Sequence, residues 1–499
     1  MEACFFYNFN AHKNIMLFNS INFAIFLPIV FILYWFCFNR NLRHQNILIL
    51  LSSYFFYSCW DWRFTFLLLF STSLDYLAGI KIQNSKFITI KRFWFWLSVI
   101  INVGFLGIFK YYNFFAESFA VAISNFGWSV NPMMLDIILP VGISFYTFHG
   151  LSYIIDVYNN RINAEKSFID YAVFVSFFPL LVAGPIERAT HLLPQIKKKR
   201  IFRYENAADG LRQILWGLFK KIVIADNCAE FANQIFNNSA ELNGSTLALG
   251  ALFFTFQIYG DFSGYSDIAL GTARLFGIEL LKNFNFPYFS RNIAEFWRRW
   301  HISLSSWFKD YLYIPLGGSR GGIGMQIRNI FIIFIVSGFW HGANWTFIVW
   351  GLLNALYILP SIITKNNRNY IEIVAKGRLL PTFNEIIQIL ITFSLTAFAW
   401  IFFRSESIGQ ASEYVSGLFS KSIFSIPKIS EPEKAWTTFI LIVFFVIIEW
   451  LGREYNYALE GIRKFQSKYT RWVFYILILL IIYFYGYFGE SVEFIYFQF

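Results

Sequence analysis

Residues Phe383–Phe403 read FNEIIQILITFSLTAFAWIFF, an apolar run broken by a single charge, Glu385, near its start. A helix of about 20 such residues, rising about 1.5 Å each, crosses the ~30 Å hydrocarbon core of a bilayer. Comparable runs cover Leu17–Phe38, Leu135–Ile155 and Trp472–Phe488. The composition agrees. Of 499 residues, 57% are hydrophobic and 22% aromatic, while 14% are charged, against about a quarter in soluble domains. Most of such a chain cannot face water. The alternation of apolar and polar residues that a membrane barrel needs is missing, so helices are expected. The fold class is therefore an all-α polytopic membrane protein, with about eleven or twelve transmembrane helices plus re-entrant helices.

Reading outward, the first long run lacks a small-residue cleavage site and further spans follow it directly, so it reads as a retained helix. Residues 1–16 read as an irregular N-terminal extension, Met16 opening the apolar pattern, and residues 17–499 as a single transmembrane domain. Cys4, Cys37, Cys59 and Cys228 show no paired or metal-ligand spacing, which supports neither disulfides, nor a zinc site, nor a thiol nucleophile.

The net charge of +11 is carried by short loops between apolar runs, which fits the positive-inside rule rather than nucleic-acid binding. Basic loops at Arg40–His44, Lys81–Arg92, Arg161–Lys166, Lys197–Arg203, Lys365–Arg378 and Arg453–Arg471 are assigned to the cytoplasm. Tyr171–Ile186 is apolar yet flanked by basic loops on both sides. A re-entrant hairpin broken at Pro179, Gly184 and Pro185 resolves the conflict. From Lys282 to Arg328 the chain is basic and aromatic. Phe296, Trp300, Leu304, Trp307 and Tyr311 recur at helical spacing, predicting one continuous amphipathic helix, and LGGSRGGIG predicts a tight turn after it. No internal repeat is visible, which speaks against a transporter of inverted halves.

Ionisable groups at membrane depth cost several kcal/mol unless paired or wetted, and so point to sites. His341 follows the uncharged run Ile330–Trp340 and precedes Gly-Ala-Asn-Trp. Buried there, an imidazole is neutral, the form a general base needs. Asn344 could orient the ring or donate to an oxyanion. A core histidine hydrogen-bonded across helices accounts for position 341 equally well. His301, at helical spacing from Trp297 and Phe308, could orient substrate or sit as an interfacial histidine among tryptophans. Asp261, Asp267, Glu295, Arg298 and Arg299 are expected to pair and hold elements together. Lys220 and Lys221 read as snorkelling from a helix end. His44, His149 and His191 have no constellation around them and read as structural.

FWRRWHISLSSWFKDYLYIPLGG, followed about forty residues later by WHGANW, resembles the signature of the membrane-bound O-acyltransferases. LFNSINFAIFLPIVFILYW, DVYNNR, FFPLLVAGPIERATHLLPQ and YGDFSGYSDIALGTARLFGIEL are similar to the bacterial branch of that family, the alginate O-acetylation type. The likeness extends from Leu17 onward. It implies a ring of tilted helices about a thinned centre, with cavities from both faces. It also implies that His341 is the catalytic histidine and His301 the second active-site position. Arg298, Arg299 and Lys309, with Arg320, could attract an anionic acyl thioester such as acetyl-CoA, although the positive-inside rule explains them as well.

The activity so implied is O-acyl transfer, with acetyl the expected group, from a cytosolic thioester to an extracytoplasmic hydroxyl. The polysaccharide acceptor would be reached directly or through a periplasmic acetyltransferase, in a multi-pass protein of the bacterial inner membrane. No metal or permanently bound cofactor is expected. A teichoic-acid D-alanyl transferase is the nearest alternative and a lipid-linked glycan transporter the alternative from another class.

Overall fold

The computed structural model describes residues 16–182, 184–464, 467–489 and 494–495. The expected N-terminal extension lies outside them, apart from Met16. Among the described residues the chain is helical and forms no strand. Helices α1 (Ile21–Ile32), α2 (Leu42–Ser58) and α3 (Trp62–Asn84) each start at a polar cap, Ser20, Asn41 and Asp61, whose side chain accepts from a backbone N–H of the first turn. Helix α4 (Ile88–Leu106) continues through a wider, π-type turn (Gly107–Tyr111) into α5 (Tyr112–Ser124). Then come α6 (Ile143–Tyr158), α7 (Phe168–Ser176), α8 (Phe178–Leu181), α9 (Ala189–Ile196), α10 (Tyr204–Leu218), α11 (Asp226–Asn237) and α12 (Gly244–Leu275). The remainder is α13 (Ile293–Arg299), α14 (Ile302–Phe308), α15 (Gly322–His341), α16 (Trp345–Ile363), α17 (Phe383–Arg404), α18 (Ile408–Leu418), α19 (Pro432–Gly452) and α20 (Lys468–Tyr485).

Among the described residues, seven helices are long and apolar enough to cross a membrane: α3, the 37-residue α4–α5, α15, α16, α17, α19 and α20. The chain is an all-α multi-pass membrane protein. The count is lower than the about eleven or twelve crossings expected from apolar runs alone. Apolar runs and helices are not the same thing. Leu17–Phe38 yields only α1 and a π-type extension to Cys37. Leu135–Ile155 begins without helix, which starts only after Gly142 turns the chain at a φ of 73°. Helix α12 has the length, at 32 residues, but carries Asp261, Asp267 and Arg274.

Two compact units divide the chain. The first comprises Met1–Phe109, Ile137–Ala207 and Ala273–Leu280. Its centre is α6, buried along nearly its whole length. The buried Asp75 of α3 accepts from Ser98 Oγ at 2.6 Å and Asn102 Nδ2 at 2.8 Å, so this polar group inside an apolar bundle is satisfied by α4. The described part of Tyr171–Ile186 is buried and its helix is interrupted. One break falls at Phe177, and a second non-helical stretch after α8 includes Gly184 and Pro185, as expected. Pro179 instead sits in the first turn of α8, where a missing N–H costs nothing. His149 is structural here, its Nε2 accepting from the Glu187 N–H at 3.0 Å.

The second unit comprises Lys110–Asp136, Ala208–Thr272 and Leu281–Phe499. Helices α10 and α12 cross at glycines. A Cβ on Gly217 would stand 2.6 Å from the Gly264 carbonyl oxygen, so only hydrogen fits. Lys220 and Lys221 do not snorkel. They are 3% and 0% exposed. Lys220 pairs with Asp267 at 2.6 Å, while Lys221 pairs with Asp261 at 2.9 Å and Asp226 at 2.8 Å. Burial without a counter-ion would be prohibitive, and the π-type segment Phe219–Ala225 carries both lysines to α11 and α12 instead of to water.

Candidate active site

His341 is the last residue of α15. The chain leaves it through Gly342 in an extended conformation and starts α16 at Trp345. Helices α15 and α16 run against each other at glycines. A Cβ on Gly338 would stand 3.5 Å from the Gly351 Cα. That closeness brings Trp350 of α16 beside His341, ring centroids 5.1 Å apart. Trp340 at 4.8 Å and Phe403 of α17 at 5.4 Å complete an aromatic wall around the imidazole. Trp400 continues it, stacked on Trp350 at 5.6 Å.

His301 reaches the same wall from another element. The helix predicted through Phe296–Tyr311 is not continuous. It is two short helices, α13 and α14, followed by a π-type turn, Lys309–Tyr313, and the break between the first two is His301 itself, at φ 43° and ψ 54°. A left-handed conformation is uncommon for a residue with a side chain and must be held by its surroundings. Asn283 holds it. Its carbonyl accepts from Ile302 N–H at 2.9 Å, its Oδ1 from Ser303 Oγ at 2.5 Å, and its Nδ2 donates to Ser266 Oγ on α12 at 2.9 Å. The kink turns the His301 ring into contact with Phe262 at 4.7 Å and Trp340 at 6.1 Å. Both imidazoles are therefore buried, at 1% and 4% exposure, and both touch the indole of Trp340. A buried, apolar setting of this kind strengthens every hydrogen bond made within it.

The remaining predicted site residues are placed otherwise. Asn344 caps α16. Its Oδ1 accepts from Thr346 N–H at 3.0 Å and its Nδ2 donates to the Glu406 carbonyl at 2.7 Å. Arg298 holds a loop, donating to the carbonyls of Asn367, Asn369 and Tyr370. Arg299 pairs with the buried Glu295 at 2.9 Å, which also takes Arg291 at 3.0 Å. The pairing expected for Glu295 and Arg299 is observed, whereas Arg298 binds carbonyl oxygens. Lys309 is exposed in the turn after α14. The predicted turn over the glycines of LGGSRGGIG forms, with Gly317, Gly318 and Gly322 at positive φ.

Three residues near the histidines escaped sequence reasoning. Asn283 gives no local signal, because its partners lie on α12 and α14. Lys110 and Tyr111 lie in the π-type turn and bind the end of α15, Lys110 Nζ donating to the Trp340 and His341 carbonyls at 2.8 and 3.0 Å. A lysine inside the apolar run GFLGIFKYYNFF was the available clue. Asn283 also lines a narrow polar recess together with Lys220, Tyr259, Asp267, Lys282 and Glu449. Burial pushes the Lys282 ammonium down to about 8.

A multi-pass helical protein with two buried imidazoles converging on one indole is suited to proton transfer within a membrane. The chain belongs to the membrane-bound O-acyltransferase family, whose sequence profile matches residues 161–402. It is 38% identical to a peptidoglycan O-acetyltransferase of Helicobacter pylori over 84% of this chain and 82% of that protein. It is likewise 38% identical to a probable alginate O-acetylase of Pseudomonas aeruginosa, over 89% and 83%. A teichoic acid D-alanyltransferase of Bacillus subtilis is 29% identical over 53% and 69%. The protein is a membrane acyltransferase, and the transporter alternative is set aside.

Proposed function

We propose that this protein moves an acetyl group from a cytosolic acyl thioester, acetyl-CoA or a similar donor, to a hydroxyl of an extracytoplasmic glycan. The observation that carries the reading is the convergence of His341 and His301 on Trp340 within one buried aromatic cluster. His341 takes the proton of the acceptor hydroxyl as its oxygen attacks the acyl carbonyl, forming the new C–O bond. The C–S bond then breaks and the proton passes to the departing thiolate, so no net proton is consumed. General-base action of this kind is typically worth ~10²–10⁴-fold. His301, fixed by Asn283, positions the acyl carbonyl. Asn344 supports the site only by capping α16. Of the residues expected to attract the donor, Lys309 stays accessible, whereas Arg298 and Arg299 serve the fold that carries His301.

The names of the relatives favour a glycan acceptor, peptidoglycan or an alginate-like polysaccharide, and a thioester drawn from the cytosol places the protein in the cytoplasmic membrane. They favour acetyl over D-alanyl, since the D-alanyltransferase likeness is weaker and covers less of the chain. Hand-over through a periplasmic acetyltransferase fits the same scheme. The test uses vesicles carrying the protein, labelled acetyl-CoA inside and glycan outside, with and without a periplasmic acetyltransferase. Label on the external glycan, dependent on the internal thioester, is the expected result. Thioester left intact while glycan crosses the bilayer would refute the reading.

A further inference from the structure

The end of α15 is a helix terminus inside a membrane protein, and its last carbonyl groups have no intrahelical partners. Two adjacent residues satisfy three of them in succession. Tyr111 Oη donates to the Phe339 carbonyl at 3.1 Å, and its ring stacks on Phe339 with centroids 4.2 Å apart. Lys110 Nζ donates to the Trp340 carbonyl at 2.8 Å and to the His341 carbonyl at 3.0 Å. The donors come from the π-type turn at Gly107–Tyr111, a local widening of the kind that recurs in helices at functional positions. An ammonium at a helix C-terminus also meets the negative end of the helix dipole.

The placement is unusual in its economy. A neutral amide or hydroxyl could satisfy a helix end, and a lysine charge within an apolar span costs several kcal/mol. Among the described residues no carboxylate pairs with Lys110. Its charge is directed wholly at the backbone of the last two residues of α15, one of which bears the imidazole. The imidazole ring itself is packed by Trp340, Trp350 and Phe403. Gly342, immediately after it, adds no side chain to hold the chain.

We propose that Lys110 is a positioning residue for acyl transfer, clamping the final turn of α15 so that the His341 imidazole is presented at a fixed place in the aromatic cluster. The inference rests on the assignment of His341 as the base. Lys110 touches no reacting atom in this scheme. Its loss should therefore lower kcat and leave donor KM alone.

The experiment compares full-length native protein, Lys110→Met, Tyr111→Phe and His341→Ala in proteoliposomes, with acetyl thioester and glycan at varied concentration. Lys110→Met should retain insertion and lose roughly 10²-fold in kcat, since a misplacement of about 1 Å has that effect. Its donor KM should stay within about twofold of native, as expected when uniform binding is untouched. Tyr111→Phe keeps the ring stack and one fewer carbonyl is held, so its kcat should fall between the two. Native kcat for Lys110→Met, or a loss confined to KM, overturns the proposal. Should Lys110→Met fail to insert, Lys110→Arg and Lys110→Gln decide the matter. Higher kcat for the charged variant supports the clamp, and equal kcat overturns it. His341→Ala separates the two ideas. Activity retained there refutes the base assignment, whereas an inactive His341→Ala beside a fully active Lys110→Met refutes only the clamp.

Discussion

Replacing Gly338 with alanine perturbs the site without touching either histidine. A Cβ at that position would overlap the Phe347 carbonyl oxygen outright and stand 3.0 Å from its carbonyl carbon. Unstrained carbon contacts lie at about 3.5–4.0 Å, so α15 and α16 must separate by roughly 0.5–1 Å. A Cβ on Gly351 would likewise overlap the Phe334 carbonyl oxygen. His341 lies one turn beyond Gly338 and Trp350 is the neighbour of Gly351, so the gap opens inside the aromatic cluster. A displacement of about 1 Å costs up to ~10²-fold in rate, which is ~2.7 kcal/mol of barrier. Overpacking should cost a further ~1–3 kcal/mol of stability. The assay is the kcat of acyl transfer in proteoliposomes, read beside thermal unfolding in detergent. Gly324→Ala, in the same helix with nothing within 4 Å of the added atom, is the control and should keep native activity. Native kcat for Gly338→Ala would refute the claim that this helix contact sets the position of His341.

Other residues give sharper contrasts. Asn283→Ala removes the side-chain bonds to Ser303 and Ser266; it should cost ~1–3 kcal/mol and lower kcat by releasing the left-handed His301, which activity and unfolding measurements on one sample would show. Lys220→Met leaves the Asp267 carboxylate without its cation and should destabilise by ~3–5 kcal/mol; a shift near zero in thermal unfolding would mean that the lysine snorkels after all. His191 faces Glu187 at 2.8 Å, and that hydrogen bond holds its imidazole above the ordinary 6.5. The charged pair therefore stabilises the fold at acid pH and is lost as pH rises through the raised value. His191→Gln should be less stable than native near pH ~5 by under ~1 kcal/mol, with the two curves meeting above pH ~8.

Membrane class and the buried histidine at position 341 were legible because both are written locally. Spans such as Phe383–Phe403 follow from composition over one helix length, and SGFWHGANW marks an imidazole in an uncharged setting. What stayed hidden depends on partners far along the chain. The spacing from Phe296 to Tyr311 satisfies a helix perfectly well, yet the chain breaks at His301 with no glycine or proline to announce it. The cause is Asn283, which binds Ile302 and Ser303 after the chain has left α12. Lys220 and Lys221 look like any basic pair at a helix end until α11 and α12 bring three aspartates to them. Lys110 is a lone charge whose acceptors are carbonyl oxygens on a helix more than two hundred residues later. Asn344, whose spacing from His341 suggested chemistry, is spent on the cap of α16.

The most direct measurement is single-turnover acetyl transfer by purified His341→Ala, against native protein at equal amount and equal thermal stability. The rate of transfer should fall by at least ~10²-fold, with thioester binding retained. Transfer at the native rate by that variant would contradict the assignment of His341 as the base.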